Sequence, residues 1–264
     1  MRETPSTYLL QNSSTSLDVE NKMIEDLLRK YKYNFNYKIG PAYDLTHLAN
    51  KKSIPIGDID FVTACLSKVW GIEKENPIEV PEYLRTDEFL KRDYKLVTWD
   101  KIPRSGKFFL KDVSLLKKFG DIVNATYMNI DELFNYVPKN ELDSTLVLDK
   151  THLFQVSTPY HIQSEYRVYV LGGEIEHISC YNGDCTVLPD IELIKKAVNL
   201  INYNEKWLRS YTIDVMVGRQ GTAIIEVHNF ASVGLYSTLW GISLIYAYRD
   251  GIDYLLNDNK ALKI

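Results

Sequence analysis

Three side chains that can bind cations or anions crowd the end of one apolar run. The segment "AIIEVHNF", residues 223–230, reads as a buried strand, yet it carries Glu226, His228 and Asn229. An unpaired carboxylate in an apolar setting is costly or neutralises itself, so it normally lies beside a cation, a metal or several donors. Glu226 therefore predicts a binding partner at this strand.

Three other strand-like segments carry charges where apolar residues would be expected: "FFLKD" with Lys111, "SEYRVYVLGG" with Glu165 and Arg167, and "YTIDVMV" with Asp214. Residues two apart on a strand face the same side. Glu165 and Arg167 should therefore project together, as should Glu226 and His228.

A hairpin through "GRQG" would bring Asp214 and Glu226 onto neighbouring strands. Two carboxylates held that close repel each other unless a cation bridges them. Mg²⁺ binds one or two carboxylates together with phosphate oxygens, and Lys111 and Arg167 would supply positive charge to phosphates. The pattern predicts a nucleotide and metal site.

Each of these charges also has a plainer interpretation. Lys111 could lie on a solvated strand edge, and Glu165 with Arg167 could form a surface ion pair. Asp214 could pair with Arg209 or Arg219, and His228 could be a hydrogen-bonded core histidine. The structure must decide between these alternatives.

Hydrophobic periodicity predicts the elements that hold these residues. Helices are expected over 17–31, from Pro55 to Gly71, over 130–137, over 190–208 and in the tail from Leu239 to Asn257. Strands are expected at Leu96–Trp99 and Lys107–Lys111, and hairpins at Gly172-Gly173 and at "GRQG". The C-terminal two-thirds therefore reads as an α+β pattern of hairpins and helices, without the regular alternation of a parallel sheet.

A zone rich in proline and charge, residues 77–103, predicts a domain boundary. We expect a small N-terminal α/β domain over 1–95 and a second domain over 96–264. The second domain would contain one lobe over about 96–152 and another over about 153–264.

Composition limits the classes of function. The chain has 264 residues and a net charge of −4, so broad electrostatic binding to nucleic acid is not expected. Three cysteines fit a reducing compartment, and the sequence has neither a secretion signal nor an apolar run of about 18 residues. We expect a cytoplasmic protein without membrane contact. The P-loop, GxGxxG, HRD, DFG, GxSxG and KxDG motifs are missing from the sequence.

From Lys101 to Tyr236, the order of the charged strands resembles the ATP-grasp superfamily. "KFFLKD" is similar to its phosphate-binding strand, "LFQVS" stands where a linker between lobes holds adenine, and "EYRVYVLGGEI", "IDVMV" and "IIEVHNF" follow in order. "FFLKDVSLLKKFGD" and "SEYRVYV" more narrowly resemble the R2K branch, known mainly from phage and bacterial genomes. The resemblance implies an α+β fold with two lobes clasping ATP.

The resemblance also implies roles for individual residues. Arg167 and Lys111 would be catalytic, with Arg167 stabilising the transferring phosphate. ATP would contact seven residues: Lys111, Lys117, Lys118, Gln155, Val156, Ser157 and Glu165. Asp214 and Glu226 would hold Mg²⁺. The family's usual Asn falls on His228, a departure, so either Asn229 replaces it through a local bulge, or His228 binds phosphate or substrate, or one metal position is weakened.

The implied activity is ATP-dependent ligation of a carboxylate to an amine through an acyl-phosphate. The substrates would be a peptide, a protein or an amino acid. Three alternatives remain open: an ATP-binding protein of this fold without ligase activity, a phosphotransferase, and an interaction module with no nucleotide site. The sequence leaves the oligomeric state open.

Overall fold

The computed structural model describes residues 6–12, 18–72, 80–113, 120–127, 129–132, 151, 153–237 and 240–261. These residues form three β-sheets with helices packed against them, a mixed α+β architecture. Each sheet contributes to a cluster of buried apolar side chains.

The first sheet is parallel, with strand order β2-β1-β3. Its strands are β1 (Thr7–Gln11), β2 (Asn36–Gly40) and β3 (Ser53–Ile56), and its helices are α1 (Asp18–Lys30), α2 (Ala42–Leu48) and α3 (Ile59–Trp70). The helix predicted to end near Gly71 is α3: Asp58 caps its first turn by accepting from the Phe61 amide, and Gly71 ends it with φ at 67°. This small α/β unit agrees with the prediction for the N-terminal region.

The second sheet is antiparallel, with order β4-β7-β5-β6. The short helix α4 (Asp87–Leu90) precedes β4 (Tyr94–Val97), β5 (Lys107–Asp112), β6 (Gly120–Asn124) and β7 (Phe154–Ser157). The strand predicted at Leu96–Trp99 begins and ends earlier, because Trp99–Lys101 forms a 3-10 turn. Of the helix predicted over 130–137, Ile130–Glu132 is a 3-10 turn, and the remainder lies outside the described residues.

The third sheet is antiparallel, with order β11-β10-β8-β9. It contains β8 (Ile162–Leu171), β9 (Glu174–Gly183), β10 (Tyr211–Gly218) and β11 (Gly221–Asn229), followed along the chain by helix α6 (Ser243–Ala261), while helix α5 (Ile191–Asn204) joins β9 to β10. Both predicted hairpins are present. Gly172 and Gly173 have φ values of 64° and 90°, which a tight two-residue hairpin turn requires.

One apolar cluster joins the first sheet to the segment after β11. Leu9 of β1 lies in the same cluster as Phe230, which follows β11, and Tyr248 of α6. The first sheet therefore packs directly against the end of the third sheet, and the division into domains 1–95 and 96–264 stays a prediction. The predicted lobe boundary at 153 differs from the observed change of sheet, since β7 pairs with β4 and β5 and the chain crosses to the third sheet within 158–161.

Among the described residues, none of the helices is both long enough and apolar enough to cross a membrane.

Candidate nucleotide-binding site

Three charged residues form a row across the third sheet. Arg167 of β8 lies opposite Asp214 of β10, which lies opposite Glu226 of β11. Residues directly opposite each other project from the same face, with Cβ atoms about 5 Å apart. The alternation that the sequence predicted therefore places all three side chains together, with His228 next along β11.

Arg167 grips Asp214 with two hydrogen bonds. Its Nε and Nη2 donate to Oδ1 and Oδ2 of Asp214, each over 2.7 Å, and the side chains are only 11% and 4% exposed. Burial alone lowers the pKa of Arg167, but the hydrogen bonds and charge of Asp214 outweigh it, so the pKa stays above its ordinary value. Neither a surface pair with Glu165 nor a pair of Asp214 with Arg209 or Arg219 is found.

Lys111 crosses from the second sheet to the third. Its Nζ lies 2.7 Å from Oε2 of Glu226, and these side chains are 12% and 8% exposed. Nε2 of His228 lies 2.9 Å from the other carboxylate oxygen, Oε1. Lys111 therefore does not lie on a solvated edge, and Lys111, Glu226 and His228 form one connected network.

Asn229 lies apart from this network. The β10–β11 pairing is regular from Glu226 to Asn229, and the bulge lies at Ile225, before Glu226. Asn229 therefore projects from the opposite face, where its Oδ1 accepts a hydrogen bond from the Ala231 amide over 2.9 Å. The bulge invoked to turn Asn229 toward the metal is not found at that position.

A cavity of about 260 Å³ lies between the second and third sheets. Lys111 lines one side of it, and its apolar walls are formed by residues from both sheets: Phe109, Ile122, Met216 and Ile225. The bulge at Ile225 turns that side chain toward the same cavity as Met216. Apolar residues on two facing sheets, with a cation nearby, form a lining that suits a flat ring.

The predicted adenine linker is a strand. Gln155, Val156 and Ser157 belong to β7, since their backbone groups pair with β4 on one side and β5 on the other. Gln155 and Ser157 line the cavity, whereas Val156 packs with the apolar cluster of the second sheet. The connection between the sheets is the following segment, 158–161.

Glu165 also lines the cavity, and its carboxylate lies near the side chain of Tyr181. Burial and neighbouring carboxylates raise the pKa of Tyr181 well above its ordinary value, so the phenol stays protonated as a donor. Tyr181 stacks on Tyr236 with ring centroids 4.9 Å apart. Neither tyrosine could be predicted from the charged strand pattern, because neither lies in it.

The loop after β11 closes over Arg167. The Gly234 carbonyl accepts from Nη1 of Arg167 over 3.1 Å and from the Tyr169 hydroxyl over 3.2 Å. The Arg167 guanidinium lies 4.9 Å from the centre of the Tyr236 ring. Glu20 of helix α1 accepts a hydrogen bond from the Leu235 amide over 2.9 Å. Three parts of the chain thus meet beside Arg167.

Two expectations for the site lie beyond this geometry. Lys117 and Lys118 fall outside the described residues. Within the described ranges, no three His, Cys, Asp or Glu side chains come together as a metal centre. The metal role of Asp214, Glu226 and His228 stays a prediction.

Two antiparallel four-stranded sheets that enclose a cavity, with cations and carboxylates along one side, are the arrangement of an ATP-grasp domain. Residues 89–239, more than half of the chain, match the model of the ATP-grasp domain, R2K clade family 2. The chain belongs to this family, and the predicted resemblance is confirmed.

Solved structures share the fold. D-alanine–D-alanine ligase from Bacillus anthracis has 15% identity and a TM-score of 0.50, with 96% of each chain covered. N5-carboxyaminoimidazole synthetase from Staphylococcus aureus has 11% identity and a TM-score of 0.50, with 84% of this chain and 70% of that chain covered. No curated protein sequence matched significantly. The predicted α+β ATP-grasp fold is confirmed.

Proposed function

We propose that the protein is an ATP- and Mg²⁺-dependent ligase that joins a carboxylate to an amine through an acyl-phosphate. The observation that carries the proposal is the row of Arg167, Asp214 and Glu226, closed by Lys111 from the facing sheet. Two further findings support the proposal: the chain belongs to an ATP-grasp family, and a cavity lies beside this row of residues.

The base of ATP would lie between the apolar walls of the cavity, with its phosphates toward Lys111. The Lys111 ammonium would leave Glu226 and pair with phosphate oxygens, which are also charged acceptors. Glu165 and Ser157 offer acceptors along the cavity for the sugar hydroxyls. Binding would thus exchange an internal ion pair for contacts with the nucleotide.

Asp214 and Glu226 fit a magnesium ion that arrives with phosphates. They supply two carboxylates on adjacent strands, and phosphate and water oxygens would complete the coordination. When bound, the metal would neutralise phosphate charge. His228 is a poorer ligand for a hard cation than an amide oxygen, so we assign His228 to orienting Glu226 through their hydrogen bond and leave Asn229 out of the site.

The reaction would proceed in two steps. A substrate carboxylate oxygen attacks the γ-phosphorus, the bond to the β,γ-bridging oxygen breaks, and ADP leaves. The amine then attacks the acyl carbon and releases inorganic phosphate, with loss of a proton. Arg167 would stabilise the charge on the transferring group, and the loop 230–237 would keep water from the acyl-phosphate.

The amine and acid substrates are proposed to be amino acids, peptides or proteins. Helix α1 contacts the loop after β11 beside Arg167, so this helix would form part of the substrate site. The B. anthracis structural neighbour is a D-alanine–D-alanine ligase by its description. The three cysteines are free, which fits the proposed cytoplasmic location.

The test is release of ADP from ATP and Mg²⁺ in the presence of pools of amino acids and peptides. We expect ADP release that needs an acid and an amine together. Release that a hydroxyl compound alone stimulates would favour a phosphotransferase. ATP binding with no stimulated release across the pools would favour an ATP-binding protein without ligase activity.

A further inference from the structure

A half-buried cation without a counter-charge lies at one end of the cavity. Arg92, in the turn between α4 and β4, lines the cavity beside Tyr160. In the part of the chain that the structure describes, no carboxylate lies within ion-pair distance of Arg92. Burial lowers its pKa to about 10, which reflects this unfavourable setting for a charge.

The guanidinium group of Arg92 has N–H donors that make no hydrogen bond within the described residues. Its Nη1 donates to the Leu90 carbonyl and to the Ile224 carbonyl, each over 3.0 Å. A guanidinium has five N–H donors in a planar fork. Its Nε and Nη2 groups donate to no atom within the described ranges. The hydrogen bonds of Arg92 to these two backbone carbonyls therefore use only one of the three nitrogen atoms of its guanidinium group.

The position of Arg92 separates it from the phosphate end. Lys111 lies opposite Gln155, and Ser157 lies two residues further along β7, roughly 7 Å away. Tyr94, two residues after Arg92, pairs with Ser157. Arg92 therefore lies at the end of the cavity that is next to the connection 158–161, away from Lys111.

Given the proposed function, the base lies between the apolar walls with one edge toward this end. An arginine donates hydrogen bonds and accepts none, so it does not accept from the amino group of adenine. It does donate to a ring nitrogen of adenine, which is an acceptor. We propose that Arg92 is a nucleobase-reading residue whose free guanidinium donors bind a ring nitrogen of the ATP base.

The test compares ATP with 1-deaza-ATP, 3-deaza-ATP and 7-deaza-ATP, each of which replaces one ring nitrogen with C–H. Binding to the full chain is measured by titration calorimetry with Mg²⁺. We expect one analogue to bind about tenfold more weakly than ATP, the loss of one charge-assisted hydrogen bond. In Arg92→Met that same analogue should bind as well as ATP does.

Arg85→Met is the matched control. Like Arg92, Arg85 donates to a backbone carbonyl, that of Val80 over 2.8 Å. The guanidinium groups of Arg85 and Arg92 lie 5.5 Å and 6.0 Å from the centre of the Tyr94 ring, but Arg85 does not line the cavity. This variant should keep the wild-type ratio of analogue to ATP affinity. The ratio within each variant is insensitive to a general loss of stability, which separates base reading from carbonyl capping.

Wild-type protein that binds all three analogues within about twofold of ATP would overturn the inference while leaving the nucleotide site intact. This wild-type comparison can overturn the inference even where Arg92→Met fails to fold. An analogue penalty that persists in Arg92→Met would also overturn it. Absence of ATP binding by the wild type would overturn both the inference and the proposed function.

Discussion

The ion pair between Lys111 and Glu226 should stabilise the nucleotide-free protein far more than a surface pair does. Breaking a buried pair from one side costs about 3–5 kcal/mol, because the remaining charge is left in a poor environment. Each side chain is about one-tenth exposed, at 12% and 8%, and His228 still bonds Glu226. We therefore expect Lys111→Met to cost about 3 kcal/mol, at the lower end of that range.

The assay is a double-mutant cycle measured by urea unfolding without nucleotide. Lys111→Met, Glu226→Gln and the double variant should give a coupling energy of about 2 kcal/mol. The midpoint temperature of thermal unfolding of Lys111→Met should lie roughly 6–12 °C below that of the wild type for a chain of this size.

A second lysine–glutamate pair in the same chain serves as the control. Lys196 and Glu88 lie 2.8 Å apart but are 64% and 51% exposed. The cycle of Lys196→Met and Glu88→Gln should show coupling close to experimental error, because water screens this pair. Coupling at Lys111 and Glu226 as small as that of the control would refute the argument that burial gives the pair its strength.

Three further predictions concern other parts of the molecule. Arg167→Lys loses the bidentate hydrogen bonds to Asp214. Turnover, measured by kinetics, should fall at least about tenfold, while ATP affinity, measured by titration, changes less than about threefold. Equal losses in turnover and affinity would contradict a role for Arg167 in phosphate transfer. Burial raises the pKa of Glu20, so the folded state binds the proton of this carboxyl group more tightly than the unfolded state does. The free energy of unfolding should therefore decline as pH rises through that raised pKa. The same dependence of the free energy of unfolding on pH in Glu20→Gln would disprove this. A Cβ on Gly251 would clash with the backbone of Phe230 and Ala231, so Gly251→Ala should cost about 1–3 kcal/mol in urea unfolding, whereas Gly241→Ala should not.

Local sequence pattern predicted that Asp214 and Glu226 lie on neighbouring strands, because strand periodicity and a hairpin depend on nearby residues. Alternation sets which side Arg167 and Glu226 face, and the "GRQG" turn sets the pairing of β10 with β11 up to the bulge at Ile225. The partner of Asp214 could not be predicted in this way. It follows from β8 lying beside β10, a pairing across 47 residues that no local pattern encodes.

Two other features of the site depend on long-range contacts. "LFQVS" was placed at the linker from its order in the ATP-grasp resemblance, and the pairing of its strand with β4 and β5 joins residues that are distant in sequence. Arg92 stands in the charged segment "KRDYK", which resembles an exposed turn. Its place in the cavity depends on a contact with Ile224, 132 residues away. The positions of β7 and Arg92 in the site therefore depend on tertiary contacts, which local sequence pattern does not predict.

The most direct test of the central claim is calorimetric titration of the protein with a non-hydrolysable ATP analogue, with and without Mg²⁺, alongside Glu226→Gln. We predict micromolar binding that depends on Mg²⁺ in the wild type, and loss of that dependence in Glu226→Gln with the fold intact. Absence of binding under both conditions would contradict a nucleotide site between the two sheets. Binding with unchanged Mg²⁺ dependence in the variant would remove Glu226 from the metal site.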